Sequence, residues 1–229
     1  MSRDQILANL RTSLASNRSW LEKEASAAPH AAPPFVHPPA ANLVAQFSAE
    51  LAKLEGRTYP VADAEEALEV IGRLLDEREA RQVIAWDLEQ IDLSGLPALL
   101  AARGVSVLDA RVHGAARKER LQTLEPVSVC LSGVDCAIAE SGTLVLRHGP
   151  GRPRLASLLA PTHIAVAHRS QLVRGLGEAL AFLRERYGAA LFDPTSHLTF
   201  ISGPSRTADI EMTLSLGIHG PPEVHVVVL

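Results

Sequence analysis

Ser202-Gly203-Pro204-Ser205-Arg206-Thr207 packs three hydroxyls, a guanidinium and a glycine into one short run. The apolar run "HLTFI" precedes it and reads as a buried strand, and the residues from Ser205 to Leu216 read as a helix. In an open α/β sheet, ligands gather beyond the carboxyl ends of strands. Free backbone N–H groups at a helix start attract anions. Gly203 lets a ligand approach the backbone, Ser205 and Thr207 offer hydroxyls, and Arg206 offers a fork of donors to a carboxylate or phosphate. The same residues have a plainer reading, in which Ser205 only caps the helix and Arg206 pairs with a neighbouring acid.

A second stretch, Arg147-His148-Gly149-Pro150-Gly151-Arg152-Pro153-Arg154, combines two glycines with three arginines. A dinucleotide fingerprint needs a third glycine three residues on, and Arg154 stands there, so that assignment is rejected. The run is either a solvated basic loop or a lid that closes over an acidic metabolite, with Gly149, Gly151 and Arg154 facing the ligand. Glu140, in "AESG" between two apolar runs, is either exposed at a turn or a buried acid, base or nucleophile. His219 lies between Gly217 and Gly220 and is the histidine best placed for a site. His163, His197 and His225 recur near strand ends without the spacing of a zinc motif, and no metal is expected. No nucleophile elbow is present, and no pattern identifies a cofactor.

The elements that must position these residues alternate. "QVIAW", "VSVLD", "VSVCL", "HIAVA" and "EVHVVVL" are short apolar runs, separated by amphipathic stretches such as the one carrying Leu68, Ile71, Leu74 and Leu75. The pattern predicts a mostly parallel sheet with helices on both faces. "CAIAESGTLVLRHG" interrupts the rhythm as a hairpin, and residues 172–187 read as one long helix. Ser2 and Gln5 open a first helix with a capping box, and "SAAPHAAPPFVHPPAAN" then forms an extended arm. The chain therefore divides into an N-terminal helix with a Pro/Ala-rich arm over residues 1–40, and one domain over residues 41–229.

Composition narrows the classes. The chain has 229 residues, 47% of them hydrophobic, and a net charge of -4, which argues against nucleic acid as the main partner. The longest uncharged stretch carries five prolines and cannot span a membrane. The start of the chain lacks the apolar core of a signal peptide, and the sequence reads as that of a soluble cytoplasmic protein. Cys130 and Cys136 are too few for a cysteine-ligated iron–sulfur cluster.

"GVDCAIAESGTLVL", "PRLASLLAPTHIAV" and "ISGPSRTADIEMTLSLGIHGPPEVHVVVL" resemble the LUD-domain family. The resemblance covers roughly residues 41–229 and is strongest from Gly133 onward. It implies a fold like the NagB/RpiA/CoA-transferase group. It also implies a role in oxidising L-lactate to pyruvate beside two iron–sulfur partner proteins, which would carry the electrons. CoA-transferases of that fold group attack a thioester with a glutamate, to which Glu140 is loosely similar. Three readings stay open: a lactate-utilization component that binds an anionic small molecule, an acyl-transfer or isomerase-type enzyme, and a structural partner of the iron–sulfur proteins.

Overall fold

The computed structural model describes residues 2–27, 33–110, 112, 117–192, 197–208 and 214–229. Two compact units emerge, Met1–Pro33 and Pro34–Leu229. The sequence boundary falls after residue 40, whereas the larger unit already begins at Pro34. In the smaller unit, α1 (Arg3–Ala27) starts on the expected capping box. Gln5 N–H donates to Ser2 Oγ (3.3 Å) and Ser2 N–H to Gln5 Oε1 (3.0 Å).

In the larger unit, α2 (Leu43–Lys53), β1 (Arg57–Pro60), α3 (Ala64–Glu77), β2 (Gln82–Ala85), α4 (Leu96–Ala102), β3 (Ser106–Leu108) and α5 (Arg117–Leu124) follow one another. Next come β4 (Val129–Gly133), β5 (Cys136–Ile138), β6 (Thr143–Arg147), β7 (Thr162–Ala167), β8 (Leu172–Val173) and α6 (Leu176–Tyr187). β9 (Leu198–Ile201), β10 (Arg206–Ala208), β11 (Leu214–Leu216) and β12 (Glu223–Val228) complete the chain. Local chemistry sets the boundaries: Asp63 caps α3 by accepting from Glu66 N–H (3.0 Å).

Six strands form one sheet in the order β1-β12-β7-β4-β2-β3, and every pair in it is parallel. β4 and β7 are buried at every residue, so both faces of the sheet are covered. That double burial is why these strands read as unbroken apolar runs. A second sheet has the order β8-β5-β6-β9 and contains the expected β5–β6 hairpin. Among the described residues no helix is long and apolar enough to cross a membrane.

Three expectations are corrected. The helix expected from residue 172 begins at Leu176, because Leu172 and Val173 pair with β5 as a short strand. β9 is not a buried strand of the parallel sheet: it runs antiparallel to β6 in the small sheet, and Phe200 is exposed. The segment after it is not a helix at its ends either. β10 and β11 pair antiparallel, with Arg206 opposite Leu216 and Ala208 opposite Leu214. Ser205 N–H donates to Pro221 O and Gly217 N–H to Ser205 O, so the backbone groups that a helix would leave free are used by the hairpin. Asp209, read as part of that helix, lies outside the described residues.

Candidate functional site

The parallel sheet has one place where its connections diverge. β2 leads to β3 on one side, while β4, on the other side of β2, leads on toward β7. Open α/β sheets place ligands at such a crevice, outside the carboxyl ends of the strands. A cavity of about 1160 Å³ opens next to that crevice, beyond the carboxyl ends of β2 and β3. Its wall includes Trp86 and Asp87 after β2, Asp109 after β3, Arg117 of α5, and the loop of residues 148–154 after β6.

The loop is fixed in place. Asp87 N–H donates to Gly151 O (2.7 Å), and Gly149 and Arg152 bridge each other. Gly151 has φ 74°, and a Cβ there would sit 2.8 Å from Asp87 Oδ2. Only glycine suits that backbone. The Arg152 guanidinium lies 4.9 Å from the Trp86 ring centroid, donates to Gln90 Oε1 (2.9 Å) and pairs with Asp135 Oδ1 (2.8 Å). The Asp135 carboxylate is fully buried. It also accepts from Tyr187 OH and from Arg147 N–H, both at 2.5 Å. Burial, then the bond to Asp135, pushes the Tyr187 phenol up, so it stays protonated as a donor. These contacts tie the loop to the segment after β2 and to Asp135.

His148 closes one side of the cavity. It is buried, its Nε2 lies 2.7 Å from Thr199 Oγ1, and its ring stands 5.1 Å from that of His197. Burial, reinforced by His197, pushes its pKa down to about 4, so the imidazole is neutral near pH 7. The Trp86 Nε1–H is buried and meets no acceptor among the described residues. Arg117 and Arg154 have no ion-pair partner among those residues, and Asp87, Glu89 and Asp109 bring carboxylates to the same wall. The cavity therefore offers cationic donors to an anion, and carboxylates and a neutral imidazole to hydroxyl or amine groups.

Gly149, Gly151 and Arg154 all line this cavity, whereas Gly203, Ser205, Arg206, Thr207, His219 and Glu140 do not. Gly203 (φ 78°) packs on Leu54 at the end of α2. Arg206 donates to Leu54 O and pairs with Glu55 (3.2 Å). This is the plainer ion-pair reading of that arginine, and the helix N-terminus once expected beside it is absent. Ser205 and Thr207 flank it in the hairpin, and His219 is exposed in the turn after β11. Glu140 is 7% exposed at the turn of the β5–β6 hairpin, not the solvent-facing turn residue that periodicity suggests. The Glu140 hairpin and the Gly203 turn do meet. Thr143 Oγ1 lies 2.7 Å from both Ser141 Oγ and Ser202 Oγ, and Gly142 and Gly203 both pack against α2.

Asp135, Trp86 and Tyr187 were not legible as site residues. The one available signal was the charge of Asp135 inside the apolar run "GVDCAI". Cys130 and Cys136 are both buried, and burial pushes their thiols up to about 11 and about 12. Among the described residues no cluster of His, Cys, Asp or Glu is arranged to hold a metal ion.

A family model described as the LUD domain matches residues 44–229. Similar proteins include a lactate utilization protein C from Halalkalibacterium halodurans, 38% identical over 154 residues, covering 67% of this chain and 64% of that protein. Another, from Shouchella clausii, is 37% identical over 147 residues, covering 64% of this chain and 62% of that protein. A third, from a Geobacillus species, is 32% identical over 168 residues, covering 72% and 69%. The match thus spans less than two thirds of the length of the first two relatives. Among solved structures, the crystal structure of a DUF162 family protein from Deinococcus radiodurans has a TM-score of 0.57 at 21% identity, covering 81% of this chain and 95% of that one. At that identity the likeness is one of fold.

Proposed function

This chain belongs to the LUD-domain family, and on that premise we propose that it serves lactate utilization by binding an anionic small molecule in the cavity beyond β2 and β3. The relatives' names supply the pathway. The cavity beyond these strand ends, with Arg117 and Arg154 on its wall, is the observation that carries the site. Its volume of about 1160 Å³ gives room for ligands larger than lactate. Oxidation of L-lactate to pyruvate releases two electrons and two protons. The two thiols of this chain are buried and protonated, so the reading assigns the electrons to iron–sulfur partner proteins.

The test is reconstitution of lactate-dependent dye reduction from the partner proteins, with and without this chain. The rate should fall without it, and the double variant Arg117→Ala, Arg154→Ala should restore activity poorly. An equal rate without the chain would overturn the pathway role, and full activity of the double variant would overturn the site. A second reading, an acyl-transfer enzyme using Glu140 as nucleophile, has one observation in its favour: the carboxylate is held inside the fold. Loss of acyl transfer from a thioester in Glu140→Gln, with the double variant unaffected, would favour that reading.

A further inference from the structure

Glu140 is covered by a piece of chain that is itself barely packed. The cover is the end of the Pro/Ala arm. Val36 N–H donates to Glu140 Oε2 (3.0 Å), yet Val36 is 71% exposed and Phe35 43% exposed. The segment has no regular structure. Arg174 grips it twice: its guanidinium lies 3.7 Å from the Phe35 ring centroid, and an Nη donates to His37 O (2.6 Å). Gly175 makes room for this meeting, since a Cβ there would lie 2.6 Å from Glu140 Oε1 and 2.8 Å from Phe35 Cδ1. The opposite side of the site is built into the fold: Glu140 N–H donates to Arg174 O (3.0 Å), and Arg174 N–H to Glu178 Oε2 (2.7 Å).

We propose that Glu140, Arg174 and Gly175 form a recognition site for an extended peptide backbone, which residues 34–37 occupy as a removable strap. The arm uses only what any extended peptide carries, an N–H for the carboxylate, a carbonyl for the guanidinium, and an apolar plane to lie on Arg174. Arg174 Nε is buried and meets no acceptor among the described residues, so the arm leaves one donor of the site unfilled. A better-fitting segment with a further carbonyl would gain that bond and displace the strap. The arm is held by two hydrogen bonds between its backbone and the Glu140 and Arg174 side chains, one stacked ring and a 3.9 Å approach of His37 to Glu50, with no strand ladder, so the strap belongs to the easily opened end of the structure. This inference stands apart from the cavity, because none of these residues lines it.

The full chain tests it, with carbodiimide and an amine nucleophile as the probe of carboxylate access and peptide mass spectrometry as the readout. Val36→Pro removes the donor to Glu140 at an exposed position and leaves the core untouched. Glu140 labelling should rise about tenfold in Val36→Pro, and similarly in Arg174→Gln, relative to wild type. The synthetic peptide Pro-Pro-Phe-Val-His-Pro-Pro, added to Val36→Pro, should then suppress the labelling, and the same peptide with proline in place of valine should not. Glu140 labelled as readily in wild type as in both variants would remove the strap. Labelling that rises in the variants but is unaffected by the peptide would remove the peptide site.

Discussion

Lowering the pH from 7 to 5 should cost this protein about 4 kcal/mol of folding stability, carried by two imidazoles. His163 in β7 has no exposed surface, and its Nε2 lies 2.8 Å from Ser132 Oγ. Burial, then the charge of His225, pushes its pKa down to about 3. Burial, then His197, pushes His148 down to about 4. In the unfolded chain both titrate near the ordinary value of about 6.5. Below that value the unfolded chain binds two protons that the folded chain refuses, so stability falls as the pH falls. At pH 5 the difference is about 1.5 pH units per histidine, or about 2 kcal/mol each. His225, also pushed down by burial first and by Arg78 second, acts in the same direction. Glu223 is held below its ordinary value, chiefly by Arg78 acting against its burial, and its contribution is lost only at still lower pH. Urea titrations at the two pH values measure the loss. Long-range nitrogen–proton spectra of the imidazoles assign it. A folded-state titration near 6.5 at either His163 or His148, or equal stability at pH 7 and pH 5, would refute the reasoning.

Gly142→Ala should destabilise the fold by about 3 kcal/mol, because φ is 58° and a Cβ would lie 2.4 Å from Leu51 N; chemical denaturation measures it, and an unchanged midpoint would mean that α2 can move aside. Asp135→Ala should lose about 3–5 kcal/mol, since it strands the largely buried Arg152 along with Tyr187 OH and Arg147 N–H; a calorimetric melting scan tests it, and a small shift would mean that water replaces the carboxylate. Removing residues 1–33 should leave one cooperative unfolding transition, because residues 34–229 make a unit by themselves; a broad transition would place α1 in the fold.

The parallel sheet was readable because its central strands are buried on both faces, and continuous apolar runs such as "HIAVA" announce that directly. The capping pair Ser2/Gln5 was readable because it satisfies its donors within one turn. The region of residues 202–217 was misread for a physical reason. A serine before a run and a glycine after it mark the flanks of a hairpin as well as the ends of a helix, and only the pairing of Arg206 with Leu216 decides between them. The sheet that β9 joins was equally hidden, because its partner β6 lies far back in the chain. The Glu140 carboxylate is met by Val36, and Arg152 is held by Asp135. Periodicity cannot see contacts between residues so far apart in sequence.

The place of β12 in the sheet bears on how the protein is made. β1 pairs only with β12, and β12 joins β1 to β7. During vectorial synthesis β1 emerges before β12 and has no strand partner until the residues of β12 have left the ribosome. Closing that long loop is an entropic barrier reached late, and parallel pairing between distant strands is slow to form. For that interval the apolar strand β7 also keeps one edge unpaired, which is the kind of surface that chaperones hold and that aggregates recruit.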